Sequence, residues 1–272
     1  MSDFLGNLWQ MQRPLMMSGL GFLGLFLVLA IISFFDNSQI LGINRWIKPL
    51  KFSSSIVIYA WTLAVFLYFL RGYETTSKII EWGVILLMVG EIVLIVMQAA
   101  RGTTSHFNVA KPFDAAVFSA MGLMILANTL LIAWLTILYF RADIDLPAAV
   151  VWGMRLGLIV FLLGSIEGGY MSTQLGHTVG GADGGRGLPF INWSVTDGDL
   201  RVAHFVGLHA FQAIPLAALL FQYLREKFSF PSPTILTVIF AIVYFSAFTL
   251  VFAQALSGKP VVSEKLLTVK NL

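Results

Sequence analysis

The chain has 272 residues, of which 58% are apolar and 11% charged, and its mean hydropathy is +0.84. A soluble globule needs more polar surface than this composition supplies, so the expected solvent is lipid. The formal net charge of +3 is spread over connecting segments without a basic patch for nucleic acid, and the lack of cysteine excludes disulfides, thiolate metal sites and thiol nucleophiles.

Apolar runs that can cross roughly 30 Å of hydrocarbon, about 20 helical residues, predict an all-α, multi-pass transmembrane bundle of about seven helices. In chain order the spans fall near 14–35, 52–71, 79–100, 114–140, 147–170, 202–225 and 233–256. The first reads as a retained anchor, because its mostly large apolar residues carry no small-x-small cleavage signature. Breakers stand between spans: Asp36-Asn37, Arg71-Gly72, Arg101-Gly102, Pro147, and Pro231 with Pro233. No repeat or linker is visible, so residues 1–272 are expected to form a single integral membrane domain with one long Gly-rich loop, 171–201.

Basic residues divide unequally between the two sides. Arg13, Arg71, Lys78, Arg141, Arg225 and Lys227 lie on one, and Arg45, Lys48, Lys51, Arg101, Lys111, Arg186, Arg201, Lys259, Lys265 and Lys270 on the other. This bias predicts a cytoplasmic C-terminus in a bacterial-type plasma (inner) membrane.

The segments least like generic connections share that C-terminal side: NRWIKPLKFSSS (44–55), QAARGTTSHFN (98–108) and the long run from Glu167 to His209. Glu91 is expected roughly 14 Å below this face and His209 roughly 10 Å below it, at nearly one depth. On the sixth span Arg201 and Gln212 point in one direction, with His204 and His209 about 60–80° to either side. An arc of polar groups in a span faces a bundle interior or a wet cavity.

Three functional readings follow. The leading one is a metal-dependent intramembrane enzyme for an amphiphilic molecule arriving from the bilayer. There His106, His177, His204 and His209 supply ligands to a divalent transition metal, and Glu91 and Glu167 are catalytic acid and base. Asp199 is a further ligand candidate, and Lys48, Lys51, Arg101, Arg186, Arg201 and Gln212 would hold a polar headgroup. The second reading is a redox protein with haem b on two of the histidines, exchanging electrons with quinone. The third is a small-solute or proton-coupled transporter with Glu91, Arg155 and Glu167 as relay.

The histidine-rich, seven-span layout resembles the alkaline ceramidase and adiponectin receptor class of zinc hydrolases in architecture, but the HxxxH pair of that class is absent and no activity carries over. Structural readings stand beside the functional ones. Glu91 paired with Arg155 would lock two spans together. GHTVGGADGGRG reads either as a backbone anion nest or as a loop whose glycines only permit tight turns.

Overall fold

Helices that are apolar all round need lipid or protein on every side, and the chain is built from such helices. The computed structural model describes residues 2–228 and 231–264; Lys265 and Lys270, counted above in the charge bias, lie outside the described residues. Seven helices among the described residues are long and apolar enough to cross a membrane, as the sequence predicts. The chain divides into two compact units, Met1–Asp145 and Leu146–Leu272.

The first unit opens with a short helix that the span pattern does not predict, α1 (Ser2–Met11). It buries Leu8 and sets Phe4 edge-on to Tyr68 at 5.4 Å and stacked on Phe69 at 6.1 Å. Helix α2 (Arg13–Phe35) carries Pro14 in its first turn, where a missing N–H costs nothing. A two-residue hairpin follows, β1 (Gln39–Ile40) and β2 (Ile43–Asn44), turning through Leu41 (φ 50°) and Gly42 (φ 78°). The Asp36 carboxylate latches this turn, accepting from the Ser38 amide at 3.0 Å, the Trp46 indole at 2.9 Å and the Arg45 guanidinium. The Ser38 bonds, then those from Trp46 and Arg45, hold the Asp36 carboxyl below the usual carboxylate range.

Helix α3 (Ile47–Phe69) begins five residues before the expected 52. Trp46 and Leu50 are buried with Leu29 and Ala99, and Pro49 sits in the tolerant first turn, so the KPLK run is helical and not part of the connection. Helices α4 (Glu74–Ala100) and α5 (Pro112–Arg141) complete the unit. On α4 the buried residues Ser77, Glu81, Val84, Met88, Glu91, Ile95 and Gln98 alternate spacings of four and three, which keeps one seam facing the neighbouring helices. Side-chain bonds tie the spans together: Tyr59 donates to Asn128 Oδ1 at 2.9 Å, and Tyr139 to the Phe66 carbonyl at 2.7 Å.

The second unit contains α6 (Ala148–Thr173), α7 (Leu200–Lys227) and α8 (Pro233–Leu256). Helices α6 and α7 cross in near backbone contact, since a Cβ placed on Gly207 would lie 2.6 Å from the Gly164 Cα. Small residues at a crossing give this approach inside lipid. Val160, Ala210, Ile214 and Ala241 form the buried core shared by the three helices, and Tyr244 donates to the Val206 carbonyl at 2.8 Å.

The α6–α7 connection is more ordered than its composition suggests. Strands β3 (Thr178–Val179) and β4 (Gly198–Asp199) pair antiparallel at its base, and Gly187 bridges Ser194 further out. This gives the run a backbone ladder that no apolar periodicity announces.

Candidate functional site

Each unit carries a glutamate in a span beside one histidine. In the first, Glu91 on α4 is 1% exposed, and its Oε1 lies 3.6 Å from His106 Nε2, just beyond direct hydrogen-bond reach. His106 belongs to the α4–α5 connection and contacts the Ser105 hydroxyl through Nδ1 at 3.1 Å. The rings of Phe52, Phe107 and Phe118 surround it at 5.6, 6.0 and 6.5 Å. Phe107 holds a left-handed backbone at φ 58°, costing on the order of 1–3 kcal/mol for a bulky residue. That conformation seats the ring against its neighbours.

In the second unit, Glu167 on α6 is 4% exposed, and its Oε2 lies 3.2 Å from His204 Nδ1 on α7. The same nitrogen is 2.9 Å from the Gly164 carbonyl. A carbonyl only accepts, so Nδ1 carries the hydrogen and directs it at Gly164. Gly168 makes the seat for this ring, because a Cβ there would fall 2.4 Å from His204 Cε1. Neither oxygen of Glu91 or of Glu167 receives a hydrogen bond, although all four are buried. Most buried side-chain polar atoms in proteins are bonded, so four such orphans in two apolar spans need an explanation.

His209 stacks on Phe205 at 3.9 Å and donates Nδ1–H to the Phe205 carbonyl at 2.8 Å. Gln212 lies one turn further along α7. His177 sits at the base of the long loop, its Nδ1 3.3 Å from Asp183 and 3.9 Å from Asp199. Arg101 binds Asp114 at 2.6 Å and also Gln98, Arg186 binds Glu264, and Arg201 binds Asp199 at 2.6 Å and the Asn192 carbonyl. Three of the expected headgroup cations are thus held by the chain's own acceptors. Lys48 lies over the Phe52 ring at 5.8 Å, Lys51 stands on the first turns of α3, and Arg155 lies over Trp152 at 5.4 Å.

Asp199 organises the loop base. It caps α7 by accepting from the Arg201 amide at 3.0 Å and takes the Ser194 amide at 2.7 Å. Burial disfavours its charge, but the Arg201 guanidinium, the Ser194 amide and His177 outweigh that and hold the carboxyl below its usual range. Two amides of the Gly-rich stretch, those of His177 and Thr178, are already taken by the Asp183 carboxylate. Asp183, a side chain of the same loop, is thus the anion that these two amides bind.

Among the described residues no group of three His, Asp or Glu side chains is arranged to hold a metal ion. The sequence does signal the glutamates and histidines, as ionisable groups in or beside apolar runs. It misses Gly168, Ser105 and the phenylalanine enclosure; a glycine inside a span is the only advance signal among these, and it reports packing. No family model, no curated protein and no solved structure matches this chain.

Proposed function

We propose that this multi-span membrane protein is a proton-coupled transporter in which Glu91–His106 and Glu167–His204 bind and release the proton. The observation that carries this reading is the pair of buried glutamates with no hydrogen-bond donor, each with one imidazole nitrogen at 3.2–3.6 Å. A purely structural carboxylate in a span would be expected to have its acceptors filled, because an unpaired buried charge costs several kcal/mol. A protonated carboxyl beside a neutral imidazole is uncharged, and loss of the carboxyl proton, or gain of one by the imidazole nitrogen that carries none (Nε2 in His204, whose Nδ1–H is given to Gly164), changes the pair by one full charge. Such pairs line proton pathways in membrane proteins. For the metalloenzyme reading, no converging set of three His, Asp or Glu ligands is present among the described residues.

The test is proton flux into proteoliposomes that trap a pH-sensitive dye, driven by a potassium diffusion potential. Glu91→Gln and Glu167→Gln preserve shape and remove titration, and each is expected to lower flux at least about tenfold, equivalent to about 1.4 kcal/mol in the limiting barrier. Wild-type vesicles no faster than protein-free vesicles would overturn the proposal.

A further inference from the structure

We propose that the groove between α6 and α8 is a binding site for one anionic phospholipid, with an acyl chain lying in the groove and the phosphate held by Arg155. The site shares no residue with the glutamate–histidine pairs, so it stands or falls apart from the proton-coupled reading.

The groove has a volume of about 220 Å³, and only apolar side chains line it. Val160 and Ala241 are buried and form its floor, while Ile159, Ile242 and Phe245 stand exposed along its rim. Its lining runs over 156–163 on α6 and 238–245 on α8, in each case about 10 Å of helix axis. One leaflet of a roughly 30 Å hydrocarbon core is about 15 Å deep. A groove of this length therefore takes most of one acyl chain.

One end of the groove carries charge. Trp152 precedes the lining residues Leu156, Ile159 and Leu163 at spacings of four, three and four, so it lies on the same face of α6 and continues the groove toward the helix start. The Arg155 guanidinium lies over the Trp152 ring at 5.4 Å. Side chains on a helix lean toward its N-terminus, which carries the arginine head away from the inner end of the groove.

Depth along α6 agrees with this polarity. A 26-residue helix is about 39 Å long, so when it is centred about 5 Å of each end lies beyond the hydrocarbon. Arg155 then starts about 6 Å inside the boundary, where a long basic side chain snorkels to the headgroups. The groove continues from about 8 Å to about 18 Å, near the midplane. Head outward and tail inward is the orientation that a lipid of this leaflet already has.

Charge selects the headgroup. Arg225 and Lys227 stand in the last turn of α7, on the side where α6 begins, and Glu226 between them accepts from Gln222. This side of the unit is net positive, which favours a phosphodiester and disfavours a headgroup that adds an ammonium. The guanidinium can give a phosphate two parallel N–H bonds.

The test is native mass spectrometry of the full-length protein in detergent micelles, given equal amounts of phosphatidylglycerol and phosphatidylcholine with the same acyl chains. Wild type is expected to retain one phosphatidylglycerol at least about fivefold over phosphatidylcholine. Arg155→Gln is expected to lose that preference, and Ala241→Leu, which fills the floor, to retain less of both lipids. Equal retention by wild type, or an unchanged preference in Arg155→Gln, would overturn the site. A wild-type dimer that Ala241→Leu converts to monomer would overturn it too, by showing a second copy of the chain in the groove. If Ala241→Leu does not insert, the comparison of wild type with Arg155→Gln decides alone.

Discussion

The placement of the His204 ring in the second unit depends on one missing methyl group. Gly168 leaves the space in which the His204 ring reaches both the Gly164 carbonyl and Glu167. Gly168→Ala is expected to push the ring aside at an overpacking cost of about 1–3 kcal/mol, and to lower proton flux about as far as Glu167→Gln does. Nitrogen-labelled histidine spectra would show the His204 Nδ1–H bond lost; an unchanged His204 signal with full flux would show that the seat is not needed. The titratable members of the site were readable in the sequence, since an ionisable group in an apolar run is costly wherever it ends up. Their seating was not. Gly168 resembles any span glycine, and the Phe107 backbone at φ 58° leaves no compositional trace.

At the level of elements, the seven spans were legible from length and apolarity, but their ends were not. The start of α3 was hidden because Lys48, Pro49 and Lys51 imitate a connection, and only the burial of Trp46 and Leu50 reveals a helix there. The β1–β2 hairpin was equally silent, because its turn places a leucine where the tight two-residue geometry favours asparagine. Leu41 is half-exposed at φ 50°. Leu41→Asn keeps the turn and relieves the left-handed strain, so it is expected to stabilise the protein by about 1 kcal/mol, read as a higher melting temperature in detergent. A lower melting temperature would mean that the Leu41 side chain makes contacts outweighing the strain.

For the molecule as a whole, lipid is the assumption on which the exposed surface makes sense. Leu86, Leu123, Ile166, Ile242 and Leu250 are all at least 60% exposed, an arrangement that water would penalise. Ile242, near the middle of α8, tests it: Ile242→Arg is expected to cost about 2.5–3.5 kcal/mol of insertion free energy, seen as a lower inserted fraction in a membrane-integration assay. Full insertion of that variant would show that this face of α8 does not meet hydrocarbon. The division into two units, each with its own glutamate–histidine pair, could not be read from composition, because apolar spans run through both halves.

The crossing at Gly164 and Gly207 has a mechanical consequence. Two helices whose backbones touch cannot slide or roll past each other without one ridge climbing over the next, and a cooperative core resists partial displacement of that kind. Helices α6 and α7 therefore behave as one rigid strut, and Glu167 and His204, mounted on either side of the contact, travel as passengers at fixed separation. Under the proposed proton-coupled function, a working cycle in this unit would have to switch which aqueous side reaches the pair, leaving the distance within the pair constant.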